Sequence, residues 1–190
     1  MVDPMRTETS VVRDGRKVVV RPATNDDAQA ILEHIRPTIA EEVYLMLDPL
    51  PDDLEAERRW LASFDGQRSV LFVAAAGNAI VGQVDCHGGE YSKIQHVGVI
   101  GIAIRDGWRE VGLGSVLMKR IVEWMRARGF LKAELSVFST NVRARRLYES
   151  LGFVWEGSQR RRIRIRGEFI DEIRMGLWLG PEPGSSAGHA

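Results

Sequence analysis

The sequence contains few of the features that mark a secreted or membrane-bound protein. Cys86 is the only cysteine among 190 residues, so an intrachain disulfide and a disulfide-stabilised secreted scaffold are excluded, and a cysteine-based zinc site is not expected. The longest unbroken apolar run, residues 70–76, is far shorter than the roughly 20 residues of a membrane-spanning helix. Residues 1–16 lack the apolar core of a signal peptide. We therefore expect a cytoplasmic protein with no membrane partner.

The chain also has no excess of charge. Lys plus Arg and Asp plus Glu number 26 each, which gives no indication of a nucleic-acid or acidic partner. A chain of this length can bury a core without metals or disulfides. Residues 1–16 are polar and aperiodic, and residues 180–190 are rich in Gly, Pro and Ser, so both are predicted to be flexible ends. Residues 17–179 are predicted to form a single domain.

Hydrophobic periodicity predicts seven strands and four helices. The strands are predicted at residues 17–22, 70–76, 79–86, 94–104, 131–138, 153–156 and 167–179. The helices are predicted to follow Thr24, to cover 55–64 and 112–129, and to begin at Thr140 or Asn141 and end before Gly152. This order predicts an α/β (α+β) fold with a mixed sheet of about seven strands and helices on both faces.

The turn between the strand at 94–104 and the next helix has the composition of an anion site. Gly112 and Gly114 let the main chain approach a ligand closely. The first N–H groups of a helix are unpaired donors at the positive end of its dipole. A phosphate or pyrophosphate suits such a site best. The alternative is that the glycines serve only to permit a sharp turn.

Two other phosphate-binding motifs have glycine spacings close to that of this turn. Gly107 and Gly112 fit the spacing of a P-loop, but the Lys and Ser/Thr that must follow are missing. A dinucleotide fingerprint lacks its third glycine because Leu117 stands there, although Glu134 falls at the acidic position. The P-loop is therefore excluded, and the dinucleotide site remains as an alternative.

Two motifs follow one another along the chain with a helix and a strand between them. One is Arg109-x-x-Gly112-x-Gly114. The other comprises Asn141, Ala144, Leu147, Tyr148, Gly152 and Phe153. Together they resemble the acyl-CoA signature and the Asn-x-x-Ala-x-x-Leu-Tyr-x-x-x-Gly-Phe signature of the GCN5-related N-acetyltransferase (GNAT) family. The resemblance covers about residues 17–179 and implies a GNAT-like, mostly antiparallel sheet.

The resemblance implies a role for each matching position, with acetyl-CoA as co-substrate. The pantetheine arm would bind main-chain groups of Ile102, Ala103 and Ile104. The pyrophosphate would bind main-chain N–H groups within the loop and first helical turn, which comprise Arg109, Glu110, Val111, Gly112, Leu113, Gly114 and Ser115. Asn141 would contact the pantetheine, and Tyr148 would act as the general acid for the departing thiolate. No metal is needed.

The general base is less clear from the sequence. An ammonium group must lose a proton before it can attack a thioester. Many relatives carry a Glu on the strand before the pyrophosphate loop, where this chain has Val99. Glu42 is the first candidate and His96 the second, with Glu41 and Asp85 as further candidates.

The implied reaction is direct acetyl transfer to a primary amine in a ternary complex. The acceptor would be a small molecule, such as an amino acid, polyamine or aminoglycoside, or a protein amine. The alternative is a non-catalytic acyl-CoA-binding or sensing module with a degenerate acceptor site. The arginines within residues 160–166 have no aromatic platform among them, so we favour a solvent face or an acidic acceptor over nucleic acid. Relatives commonly dimerise through their C-terminal strands, which makes a homodimer possible here.

Overall fold

A mixed eight-stranded sheet forms the centre of the protein. A computed structural model describes residues 3–48 and 53–181. The strands are β1 (Glu8–Val11), β2 (Lys17–Pro22), β3 (Ser69–Ala76), β4 (Ala79–Gly88), β5 (Val97–Ile104), β6 (Lys132–Phe138), β7 (Val154–Ile165) and β8 (Glu168–Trp178). The helices are α1 (Ala28–Ala40), α2 (Leu54–Ala62), α3 (Leu113–Ala127) and α4 (Val142–Ser150). Among the described residues, no helix is long and apolar enough to cross a membrane.

The strand order is β1-β2-β3-β4-β5-β6-β8-β7. Every neighbouring pair is antiparallel except β5 and β6, which are parallel. The mixed, mostly antiparallel sheet predicted from the sequence is confirmed.

The sheet has eight strands rather than about seven because β1 pairs with β2 along its whole length. This strand lies in the segment 1–16, for which the sequence predicts a flexible end. Main-chain groups make this pairing, and three of the four β1 side chains are exposed. Because the strand does not alternate between apolar and polar residues, its sequence does not predict it. The single-domain limits stay a prediction. Residues 182–190 of the predicted tail lie outside the described residues.

β5 and β7 differ most from their predicted limits. β5 begins at Val97 rather than at residue 94, because Ser92–Ile94 form a short 3-10 turn. Ile94 is exposed there, although it extends the apolar run in the sequence. β7 joins the predicted strand at 153–156 to the basic stretch that follows, with a register shift between Gln159 and Ile163.

The helices cover the sheet on both faces. Helices α3 and α4 pack on one face over the larger core, which includes Phe72, Leu117 and Trp124. The other face carries α1 and α2 over a smaller core. Alternation within each strand therefore decides which face a side chain occupies.

The parallel strands β5 and β6 separate along their length. Within residues 97–104 and 132–138, ladder pairs connect only Val97–Val99 with Lys132–Glu134. Beyond these pairs, β6 continues alongside β8 and β5 alongside β4. The edge of β5 from residue 100 onward is thus free of a strand partner on the β6 side, and a gap opens in the middle of the sheet.

Candidate active site

A cavity of about 590 Å³ occupies the gap between β5 and β6. Residues 100–104 and 136–138 form its walls within the sheet. Side chains of α4 line it on one side of the sheet, and Thr38, Tyr44 and Met46 line it on the other. The cavity therefore connects the two faces of the molecule.

The turn before α3 forms one end of the cavity, and its conformation is suited to binding a phosphate group. Gly112 is the N-cap of α3 and has a φ of +92°, a conformation that side-chain-bearing residues rarely adopt. Glu110, two residues earlier, also has a positive φ of +63°. These angles turn the chain so that α3 begins at the cavity with its unpaired N–H groups. An anionic group can be bound there by main-chain donors alone.

Most of the predicted cofactor-binding residues line this cavity. They are Ile102, Ala103, Ile104, Arg109, Glu110, Gly112, Gly114, Ser115, Asn141 and Tyr148. Val111 and Leu113 are not among the lining residues. The Leu113 side chain is fully buried in the larger core, and the Val111 carbonyl accepts a hydrogen bond from the Arg13 N–H at 2.8 Å.

The Arg109 side chain holds the turn in place. Its Nε donates to the Ile104 carbonyl at 2.9 Å, and its Nη1 donates to Glu41 Oε2 at 2.6 Å. The guanidinium also lies 4.5 Å from the Tyr44 ring centroid. Hydrogen bonding to Glu41 raises the pKa of Arg109. The side chain thereby links the turn to the segment after α1.

Three arginines that the sequence analysis did not single out also line the cavity, namely Arg13, Arg143 and Arg146. A Cβ on Gly112 would lie 3.4 Å from Arg13 Cγ, so this side chain lies directly against the turn. Arg143 Nη1 lies 3.6 Å from Glu110 Oε2. A cavity with several guanidinium groups suits a ligand with several phosphates. The sequence alone does not indicate that Arg13 lies at the cavity, because its position there depends on the pairing of β1 with β2.

Asn141 and Tyr148 meet the cavity from α4. Asn141 is the N-cap of α4, and its Oδ1 accepts a hydrogen bond from the Ala144 N–H at 3.1 Å, which confirms the predicted cap. The Tyr148 side chain is buried against Phe153, with ring centroids 6.1 Å apart. Burial raises the pKa of Tyr148 to about 12, so its hydroxyl stays protonated at neutral pH.

The two sequence candidates for the base lie outside the lining. Glu42 is exposed and paired with Arg166, with Oε2 and Nε 2.9 Å apart. His96 precedes β5 and is exposed, so the strand position predicted for it is wrong. Their role as base stays a prediction without support from the cavity geometry.

Glu41 and Asp85 also lie outside the lining, and their surroundings differ from those of Glu42 and His96. Glu41 is bound to Arg109. The Asp85 side chain is only 20% exposed and lies 3.6 Å from His87 Nε2. Among the described residues, no group of three His, Cys, Asp or Glu side chains could hold a metal ion.

Comparison with known proteins identifies the family. The model of the acetyltransferase (GNAT) family matches residues 32–153. The chain belongs to the GNAT family. It is 30% identical over 166 residues to the L-amino acid N-acetyltransferase AaaT of Escherichia coli (strain K12), which covers 84% of this chain and 96% of that protein. It is 31% identical over 111 residues to N-alpha-acetyltransferase 30 of Xenopus laevis, which covers 58% of this chain and 40% of that protein.

Solved GNAT structures share this fold. A GNAT acetyltransferase from Streptococcus pneumoniae superposes with a TM-score of 0.80 at 28% identity, over 85% of this chain and 99% of that one. The protein yncA from Salmonella typhimurium, solved with its cofactor acetyl-CoA, has a TM-score of 0.79 at 18% identity, over 90% of this chain and 99% of that one. The protein is thus a GNAT N-acetyltransferase, and acetyl-CoA is the co-substrate of GNAT enzymes.

Proposed function

We propose that the protein transfers the acetyl group of acetyl-CoA to the primary amine of a small molecule, by direct attack in a ternary complex. The observation that carries this proposal is the cavity between β5 and β6, which joins an anion-binding turn on one side to an open face on the other. Two substrates entering from opposite sides could meet in such a passage without a covalent enzyme intermediate.

Acetyl-CoA would enter from the side of α3 and α4. Its pyrophosphate would bind the N–H groups at the start of α3, with further charge supplied by Arg13, Arg143 and Arg146. Its pantetheine arm would lie along residues 102–104, where β5 has no strand partner on the β6 side. Unpaired main-chain groups of a strand edge can bind an extended amide-containing chain as another strand would. Asn141 would contact the same arm from α4.

The thioester would lie near Tyr148. Attack of the amine converts the thioester carbonyl into an oxyanion, which main-chain donors of β5 can stabilise. As the C–S bond breaks, the Tyr148 hydroxyl would donate its proton to the thiolate. Burial raises the pKa of this phenol, so the proton stays on its oxygen until negative charge develops on the departing sulfur.

The amino group of an L-amino acid is the first acceptor class to test. Support comes from the identity to AaaT, which extends over most of both chains. On the open face, Arg174 of β8 pairs in register with Ser136, which lines the cavity. Ile173 and Met175 on either side of Arg174 belong to the core on the opposite face, so Arg174 would lie where an acceptor carboxylate could meet a guanidinium.

An amine panel with detection of the released thiol tests the proposal. Each L-amino acid is compared with its amide and with its decarboxylated amine, at a fixed concentration of acetyl-CoA. We expect acceleration by a subset of amines, with the free amino acid preferred over its amide. If no amine accelerates thiol release while calorimetry detects acetyl-CoA binding, the acyl-CoA-sensing alternative replaces the proposal. The homodimer and the cytoplasmic location stay predictions.

A further inference from the structure

The acid that many GNAT relatives carry on the strand before the pyrophosphate loop is replaced by Val99. We propose that Asp85, on the neighbouring strand β4, is the catalytic base that takes a proton from the acceptor amine. This inference rests on the proposed function, because it assigns one residue within the same reaction.

The position of Asp85 depends on the glycine opposite it. Asp85 pairs in register with Gly101 of β5, which lines the cavity. A Cβ on Gly101 would lie 2.6 Å from Asp85 Oδ1 and 3.1 Å from Oδ2. The carboxylate therefore occupies the space above Gly101 that the side chain of any other residue at position 101 would fill. Asp85 is not itself among the residues that line the cavity, but it lies over Gly101, which does, because residue 101 has no side chain.

The carboxylate lies on the face from which the acceptor would approach. Val84 and Cys86, on either side of Asp85, belong to the core under α3, so Asp85 is directed to the opposite face. Val99 and Gly101 share that face, because Ile100 between them belongs to the α3 core. Two residues along a strand correspond to about 7 Å. Val99 pairs with His87, so an acid at position 85 lies on the same face as an acid at position 99 would, one same-face position farther along the sheet.

The surroundings of Asp85 favour proton transfer over a fixed ion pair. Burial raises the pKa of Asp85, and the nearby His87 opposes that shift. His87 Nε2 lies 3.6 Å from Asp85 Oδ2, and the His87 ring packs against Phe64. The strand neighbours, Leu71 of β3 and Gly101 of β5, carry no charge. On the α1 side, burial keeps His34 neutral at pH 7.

The proton balance of the step is as follows. One proton of the acceptor ammonium passes to Asp85 and then, by way of His87, to solvent. The neutral amine forms the C–N bond, the C–S bond breaks, and the sulfur takes the Tyr148 proton. The second proton, still on the nitrogen, returns through water to the Tyr148 phenolate. The products are the acetylated amine, CoA thiol and one proton released to solvent.

The test compares Asp85→Asn with wild type on an acceptor that the amine panel identifies. We expect kcat/KM to fall by about 10²-fold or more at neutral pH, with the dissociation constant of acetyl-CoA unchanged. The loss should shrink for an acceptor amine of low pKa, such as a hydrazide, which reaches the site already neutral. Asp26→Asn, which changes an exposed aspartate of the Asn25–Asp27 turn, is the matched control and should behave as wild type.

Gly101→Ala provides an independent test, because its methyl group would displace the carboxylate without removing it. We expect it to lower kcat, while Asp85→Glu restores part of the activity lost in Asp85→Asn. Wild-type kcat/KM and an unchanged pH profile in Asp85→Asn would overturn the inference. If Asp85→Asn fails to bind acetyl-CoA, the inference is tested by Gly101→Ala instead. A wild-type kcat in that variant would overturn the inference. An inactive wild-type protein would instead count against the proposed function.

Discussion

Arg109 and Glu41 form a bidentate ion pair across 68 residues of sequence. Arg109 belongs to the turn that precedes α3, whereas Glu41 directly follows α1. The Arg109 side chain is only 11% exposed and also contacts Tyr44, which lines the acceptor side of the cavity. Because both contacts use one guanidinium, the cofactor turn and the acceptor-side segment are held together by the same side chain.

Glu41→Gln is therefore expected to affect both stability and ligand binding. The substitution removes the carboxylate that is hydrogen-bonded to the largely buried Arg109, while the exposed Asp106 stays 3.7 Å from its Nη1. We expect a stability loss of about 2 kcal/mol. Acetyl-CoA affinity should fall severalfold because the turn is less firmly held. Chemical denaturation and calorimetry measure the two effects. Glu42→Gln is the control, because its pair with Arg166 is exposed on both sides and should contribute under 1 kcal/mol. Equal losses of stability in Glu41→Gln and Glu42→Gln would contradict this account.

Gly112→Ala should weaken acetyl-CoA binding through the main chain. A φ of +92° costs a side-chain-bearing residue roughly 1–2 kcal/mol, so relaxation of the turn would move the N–H groups that face the ligand. Gly107→Ala is the matched control, since Gly107 has a φ of +77° with nothing within 4 Å of an added Cβ but does not line the cavity. We expect similar stability losses in both variants and a lower acetyl-CoA affinity only in Gly112→Ala. Equal losses of acetyl-CoA affinity in Gly112→Ala and Gly107→Ala would contradict the assignment of Gly112 to the acetyl-CoA site.

Local features of the fold could be predicted from the sequence because they depend on neighbouring residues. Gly129 and Gly152 have positive φ angles at the places where the sequence predicts that their helices end, and Gly77 forms the turn between β3 and β4. These positions need a backbone conformation that one residue type provides best. The limits of α3 follow from the same local signals.

The parts of the site that could not be predicted depend on distant pairing. Arg13 reaches the turn because β1 pairs with β2 at the edge of the sheet. This pairing uses main-chain hydrogen bonds, and the mostly exposed side chains of β1 show no pattern that would predict it. The position of Asp85 over Gly101 depends on the register between β4 and β5. The sequence predicts a strand position for His96 because Ile94 extends an apolar run, although Ile94 lies in an exposed turn.

Arg13→Ala should lower the affinity for acetyl-CoA about tenfold, the usual order for a charged hydrogen bond. The effect should diminish as salt concentration rises, because the interaction is electrostatic. Arg160→Ala, which removes an exposed arginine of β7 away from the cavity, is the control and should leave affinity unchanged. Calorimetry with CoA and dephospho-CoA at two salt concentrations provides the measurement. If both variants lose affinity equally, Arg13 has no specific role at the turn.

Tyr148→Phe should lower kcat by about 10²-fold while acetyl-CoA affinity stays within about twofold. Because the pKa of Tyr148 is raised to about 12, its hydroxyl should stay protonated through pH 10, and tyrosinate absorbance can follow it. Tyr91→Phe is the control, since Tyr91 is 74% exposed. Unchanged kcat in Tyr148→Phe would rule out the acid role proposed here.

His34 should make the protein less stable in mild acid. It is fully buried in α1, and burial lowers its pKa from 6.5 to about 4, with the Arg105 charge adding to the effect. The unfolded chain therefore binds more protons between these two values, so stability is present above pH 6.5 and is lost as pH falls toward 4. The full effect is about 3 kcal/mol.

Denaturant unfolding of wild type and His34→Leu at pH 7.5 and pH 4.5 measures this contribution. Asp85, whose pKa burial raises, acts in the opposite direction in both proteins, so the difference between their pH slopes isolates His34. His87→Gln, which changes a half-exposed histidine, should retain most of the wild-type slope. We expect the slope to flatten in His34→Leu, because leucine has no proton to gain in the unfolded chain. A wild-type slope in His34→Leu would show that the acid sensitivity arises at another group.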